Sequence, residues 1–147
     1  MKGLLYGLLT LSVVVVGCQR DNATPISSDL LYRKWGMTEV RYKNGQTVSV
    51  SPTNEWTIVT FQLNGTILYG DDGKYDPCCS PARFKRKGNT LDLADVDSIP
   101  FPERTPNGIC AQVSCITPES VWRIDELTTN KLVIDQVYAI TVYQPYP

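Results

Sequence analysis

The sequence predicts an all-β fold: eight or nine short antiparallel strands in an up-and-down meander that closes into a barrel, with a two-sheet β-sandwich as the alternative. Three observations carry this. Turn signals (Asn44-Gly45, Asn64-Gly65, Gly88-Asn89 and Thr128-Thr129-Asn130) recur between short runs rich in β-branched and aromatic residues. No stretch of the domain sustains a helical period. Residues 55–69, EWTIVTFQLNGTILY, form a hairpin pattern by themselves. A two-residue type I′ turn at Asn64-Gly65 needs positive φ at both central positions, which Asn and Gly tolerate best. That turn would set Leu63 opposite Thr66, Phe61 opposite Leu68 and Val59 opposite Gly70, with Val59, Phe61, Leu63 and Leu68 on the core side.

The chain opens with Lys2 and the apolar run LLYGLLTLSVVVVG at 4–17, short for a bilayer span and right for a signal-peptide core. The run ends Val15-Val16-Gly17-Cys18, which resembles the bacterial lipobox. The resemblance implies cleavage after residue 17, acylation of Cys18 and, at roughly 0.8 kcal/mol per buried methylene, stable anchoring by two or three chains. Gln19 is not the aspartate that holds such proteins at an inner membrane, so the expected location is the bacterial envelope, on the periplasmic or surface face of an outer membrane. Residues 18–28 are polar and predict a flexible tether. The sequons at Asn22 and Asn64 are accidents of polar turns in that setting.

The domain itself spans 29–147. Ser28-Asp29 before Leu30-Leu31-Tyr32 predicts one capped helical turn. Strands follow over 35–43 and 46–50, then the 55–69 hairpin. A hairpin over 83–94 turns at Gly88-Asn89, placing Phe84 opposite Leu93 and Arg86 opposite Leu91. Strands over 120–126, 131–135 and 137–143 complete the meander. In this meander alternate connections lie at opposite ends, so the four tight turns would share one end and the loops 51–54, 71–82 and 95–118 the other, with the turn at 28–33.

That arrangement gathers Cys78, Cys79, Cys110 and Cys115 at the loop end, and an exported chain makes two disulfides the default. Three pairings are possible. Bridges between the two loops, one of Cys78 or Cys79 to Cys110 and the other to Cys115, avoid a strained vicinal bond. Each would close a ring of about thirty residues, worth about 3–4 kcal/mol in the chain-entropy model. A redox pair or four-cysteine zinc site fits less well, since the spacing is not C-x-x-C.

Other chemistry is sparse. There is no histidine, which removes Ser-His-Asp and Cys-His catalysis and His-ligated zinc, and a net charge of −1 gives nothing for nucleic acid to bind. Asp71, Asp72, Asp92, Asp95 and Asp97 are the carboxylates a hydrolase would have to use, and they sit where turn residues belong. The expectation is a non-enzymatic protein without metal or cofactor.

The residues Leu-Leu-Tyr before Trp35, IVTFQLNGT at 58–66, and WRIDEL at 122–127 leading to Lys131-Leu132 resemble the bacterial lipocalin-like domains of the calycin group. The family's Gly-x-Trp has Arg33 in place of glycine. No arginine follows Arg123, so the arginine that stacks on the first-strand tryptophan in lipocalins is not evident. The resemblance implies a calyx with its mouth at the tight-turn end, where Arg41, Lys43, Lys85, Lys87 and Lys131 outnumber Asp125 and Glu126. Its walls would be Phe61, Leu63, Leu68, Phe84, Leu91, Leu93, Trp122 and Ile124, with Arg86 as counter-charge to an anionic amphiphile. Against this stand a snorkelling Arg86 and aromatics that simply fill a core. The function so implied is binding of a small hydrophobic or anionic amphipathic ligand. Its rival is an interaction module with a filled core, whose 95–118 loop meets a protein or glycan.

Overall fold

The computed structural model describes residues 28–116 and 119–147; the expected signal peptide, Cys18 and the tether up to residue 27 lie outside them. Nine strands form one antiparallel sheet: β1 (Lys34–Tyr42), β2 (Thr47–Ser49), β3 (Ile58–Phe61), β4 (Ile67–Tyr69), β5 (Lys85–Lys87), β6 (Thr90–Asp92), β7 (Val121–Leu127), β8 (Leu132–Asp135) and β9 (Ala139–Pro145). Eight of them run in the order β4-β3-β1-β9-β8-β7-β6-β5, and β2 pairs with the far half of β1. The sheet curls until its two ends touch: Ile67 N–H donates to Ala82 O and Phe84 N–H to Gly65 O, both at 2.8 Å, around the bridge between Thr66 and Arg83. Register shifts at Met37/Glu39 in β1 and Ile124/Glu126 in β7 supply bends, as β-bulges do.

Two adjustments follow from the pairing. The return strand β2 and strand β3 both run antiparallel to β1 along the same edge, β2 against residues 39–41 and β3 against 34–36. They are two pieces of one strand interrupted by an excursion at 50–57, so the alternation of ends is displaced by one step. The Asn44-Gly45 turn therefore lies at the upper end with the loops 70–82 and 93–120, its Lys43 N–H bonded to Tyr138 O. The other tight turns lie at the lower end, beside the 3₁₀ turn Ser28–Leu31 rather than opposite it. The cations expected to cluster are divided and paired: Arg41 with Glu39, Lys43 with Asp135, Lys85 with Asp95, Lys87 with Asp92 and Lys131 with Glu126.

The second adjustment is the register of the 55–69 hairpin. Phe61 pairs with Ile67, Thr60 with Leu68 and Val59 with Tyr69. Gly65 N–H donates to Gln62 O, and Gly65 has φ +87° while Asn64 stays negative. This is a three-residue loop, a type I turn followed by a glycine bulge, where the sequence suggested two. Ile67 and Tyr69 consequently face the core; Leu68 is half-buried, and Leu63 at the loop is 79% exposed. Gly65 must be glycine, because a Cβ there would sit 2.7 Å from Phe84 O in addition to the positive φ. The Gly88-Asn89 turn has the expected register, Arg86 opposite Leu91, with only Gly88 at positive φ.

The lower half of the barrel is filled. Leu31, Trp35, Phe61, Ile67, Phe84, Leu91, Ile124, Leu132 and Ile134 are each essentially inaccessible, and Phe61 meets Phe84 edge-on at 5.6 Å. Each such side chain contributes about 1.5–3 kcal/mol by leaving water. Trp35 satisfies its indole by donating to Leu31 O at 3.0 Å, which ties the 3₁₀ turn across the lower end. Packing is dense below, and the space lies above.

Candidate functional site

Above Val59, Tyr69, Trp122 and Tyr143 the barrel opens into a cavity of about 550 Å³. Its walls come from four irregular pieces as well as the sheet. The 3₁₀ turn Glu55–Thr57 presents Trp56 and Thr57; Thr57 is wholly buried and its hydroxyl donates to Asn54 O at 2.6 Å. The 77–81 segment brings Pro77, Cys79, Ser80 and Pro81, the approach to β7 brings Ser114, Ile116 and Glu119, and the β8–β9 turn Gln136 and Tyr138. Met37 of β1 and Thr141 of β9 complete it. Trp56, Tyr138 and Ile116, exposed at 49%, 61% and 74%, make an apolar rim.

The loops that form these walls are held by sulfur and by Asp76. Cys78 bonds Cys110 and Cys79 bonds Cys115, across sequence separations of 32 and 36. Both bridges cross between loops, and the pairing left open by the sequence is thereby set. The Asp76 carboxylate accepts from Cys78 N at 3.0 Å, holding Cys78 at φ +64°, and from Arg104 Nη1 at 3.1 Å. Asp76 O accepts from Asn107 Nδ2 at 3.0 Å. A second cavity of about 370 Å³ shares Cys79, Ser80, Pro81, Ile116 and Glu119 with the first and is otherwise lined by residues including Arg83, Leu93, Phe101 and Arg104.

The electrostatics are simple. Burial pushes the phenols of Tyr69 and Tyr143 far above the ordinary tyrosine value, so both stay neutral; Tyr69 donates to Pro81 O at 2.9 Å. Among the described lining residues of the first cavity, Glu119 is the one acidic side chain, and none is basic. Its Oε2 is buried without a hydrogen-bond partner.

Of the residues expected to line a calyx, Trp122 does so. Phe61, Phe84, Leu91 and Ile124 belong instead to the filled lower core, and Leu93 packs partly against that core and borders the second cavity. Leu63 and Leu68 are removed by the register of their hairpin. Arg86 shares a face with Leu91 but sits near the lower turn, where its Nε donates to Gly88 O at 2.9 Å, so it cannot be a counter-charge in the upper cavity. The mouth is thus at the loop end, the reverse of what the resemblance implied.

The aspartates serve the surface. Asp71 pairs with Lys34 at 2.7 Å, Asp97 lies 3.7 Å from Arg83, and Asp72 accepts from Lys74 N at 2.8 Å. The Lys87 ammonium at 2.9 Å, with two backbone N–H groups, holds the Asp92 carboxyl below its usual range. No group of three potential metal ligands occurs among the described residues. Sequence periodicity could not have found the cavity, because its distinctive side chains lie in turns. The available signal was Trp56 close behind the turn-forming Pro52-Thr53-Asn54; Tyr138, expected within a strand over 137–143, lies in the turn before β9.

No protein-family profile and no curated protein matches the sequence. Two solved structures are similar in fold. One is a lipocalin-like protein from Bacteroides uniformis, 12% identical, with a TM-score of 0.51 over 80% of this chain and 99% of that one. The other is an uncharacterized protein from Bacteroides eggerthii, 18% identical, with a TM-score of 0.50 over 79% and 99%. Antiparallel strand order, a curled sheet with one plugged end, and these neighbours together make the domain lipocalin-like in architecture.

Proposed function

We propose that this chain is a lipid-anchored protein of a bacterial envelope whose lipocalin-like domain binds a small hydrophobic molecule in the upper cavity, without catalysis. The observation that carries the binding reading is the cavity itself: about 550 Å³ walled by Trp56, Trp122, Tyr138, Tyr143 and Met37, a size and lining suited to a small apolar ligand. A purely structural barrel gains by filling that space, as the lower half is filled. The anchoring half rests on the Lys2, apolar run and Gly17-Cys18 pattern, with an outer membrane as the favoured location because Gln19 follows. An anionic amphiphile is disfavoured as the ligand, because no described lining residue of this cavity is cationic.

A second reading has its own support. Phe101, Ile109 and Ile116 are each at least 64% exposed in the long 93–120 loop, as a contact surface for another envelope component would be.

Native mass spectrometry of the protein purified from its own membrane tests both halves. The expected result is an amino-terminal peptide carrying acyl chains on Cys18 and a co-purifying small molecule lost when Trp122→Ala and Tyr143→Ala are combined. An unmodified Cys18 overturns the anchor. A ligand-free barrel that also takes up no apolar probe overturns the binding role and leaves the contact-surface reading.

A further inference from the structure

We infer that the upper cavity selects a ligand with a protonated amine, and that Glu119 is its anchor. The inference rests on the reading of that cavity as a ligand site and adds to it the charge of the ligand. A carboxylate oxygen buried against aromatic and aliphatic walls loses its hydration, and hydrogen bonds normally restore what is lost. Glu119 Oε2 has none. The tyrosines of the cavity do not balance it, since Tyr69 and Tyr143 are neutral, and the Tyr69 hydroxyl donates its hydrogen bond to Pro81 O. Two cations line the adjoining cavity with Glu119, and both have other partners. Arg104 lies on Asp76 at 3.1 Å, and Arg83 donates to Ile99 O at 2.8 Å and stacks on Phe101. Arg104 Nη2 also lacks an acceptor, yet no ion pair joins it to Glu119. The cavity therefore presents an unpartnered carboxyl oxygen among apolar and aromatic walls.

A primary alkylammonium group answers each feature. Its N–H groups can donate to Oε2, its charge offsets the carboxylate, and the indole and phenol faces of Trp56, Trp122 and Tyr138 favour a cation through their negative quadrupoles. The apolar tail occupies the remaining volume. A carboxylate or phosphate head at the same place would face the Glu119 carboxyl and find no cation among the described lining residues of this cavity.

The test uses the full chain in lipid nanodiscs and three probes with one tail and different heads: hexylammonium, 1-hexanol and hexanoate. Binding is read by tryptophan fluorescence and calorimetry, with partition into empty nanodiscs subtracted. Wild type should bind hexylammonium about tenfold or more tighter than 1-hexanol, with hexanoate weakest, as a charge-assisted hydrogen bond allows. Glu119→Gln, close in shape, should bring hexylammonium to the level of 1-hexanol while leaving 1-hexanol unchanged. If 1-hexanol binds wild type as well as hexylammonium does, the charge inference is overturned and the hydrophobic site stands. If the preference persists in Glu119→Gln, the anchor is not Glu119 and the inference fails. If none of the three probes binds, the cavity is no ligand site and both readings fall. Should Glu119→Gln not fold, Glu119→Asp, which keeps the carboxylate and shortens its reach, should weaken hexylammonium and leave 1-hexanol unchanged; hexylammonium bound as tightly as by wild type overturns the anchor.

Discussion

The Arg33 guanidinium lies 4.3 Å over the Trp35 ring, and its Nη2 donates to Thr129 O across the lower end of the barrel. Arg33 stands where the lipocalin pattern has glycine, and the stacking arginine, for which the chain offers no residue after Arg123, comes from two residues before the tryptophan. With Trp35 bonded to Leu31 O, this contact joins the 3₁₀ turn, β1 and the β7–β8 turn into one plug. Arg33→Ala should lower the unfolding free energy by about 1–2 kcal/mol, from a partly desolvated cation–π contact and a lost charged hydrogen bond. Arg33→Lys should recover part of this, since an ammonium keeps the charge but not the planar stack. Urea denaturation followed by Trp fluorescence measures it; an unchanged midpoint in Arg33→Ala means the plug does not need the stack.

The one-residue displacement in the β3–β4 hairpin gives a sharper contrast. Phe61 and Ile67 are buried partners, whereas Leu63 is 79% exposed and Leu68 half-buried on the outer face. Phe61→Ala should cost about 3–5 kcal/mol and Ile67→Ala about 2–5, as cavity-forming truncations do. Leu63→Ala should fall within about 0.5 kcal/mol of wild type. The two-residue register reverses the order for Leu63 and Ile67, so chemical denaturation of that pair of variants distinguishes the registers directly.

This hairpin also marks the limit of what the residues disclose. Asn-Gly suits both a two-residue type I′ loop and the third position of a three-residue loop ending in a glycine bulge. The choice between them is made by the tertiary fit of Ile67 and Tyr69, whose hydroxyl reaches Pro81 O. Gly88-Asn89 was legible because glycine at the first central position is the demand of a type II′ turn, and the observed register agrees. Strand number could be read for similar local reasons, and the cross-loop sulfur bridges because a meander brings both cysteine-bearing loops to one end. The position of the mouth could not, since it turned on β2 and β3 being collinear, a long-range pairing that no local pattern encodes.

The two disulfides carry the upper wall. The chain-entropy relation for rings of 32 and 36 residues gives about 4 kcal/mol for each taken alone. Removing both should cost less than twice that, because the rings overlap. Cys79→Ser with Cys115→Ser should therefore lower the unfolding midpoint in urea strongly, and it should also weaken binding of an apolar probe, because Cys79 and Ile116 line the cavity. Loss of stability with probe binding intact would show that the cavity keeps its shape without this bridge.

Two buried phenols make stability depend on pH above about 10. Burial raises the Tyr69 and Tyr143 values far above 10.0 in the folded protein, while in the unfolded chain each titrates near that ordinary value. Below pH ~10 both states hold the protons and these groups impose no slope. Above it the unfolded chain releases protons that the folded one keeps, so the unfolded state binds fewer protons and unfolding free energy falls with rising pH. Each tyrosine should contribute about 1.4 kcal/mol per pH unit once its unfolded form is ionised. Urea midpoints measured from pH 9 to pH 11.5, approximate bounds set by where tyrosine ionises, should decline for wild type and decline less steeply for Tyr143→Phe. Tyr143→Phe isolates the effect better than Tyr69→Phe, which also removes the bond to Pro81 O. Equal slopes in wild type and Tyr143→Phe would mean that the Tyr143 phenol ionises in place, and that water reaches the floor of the cavity beside it.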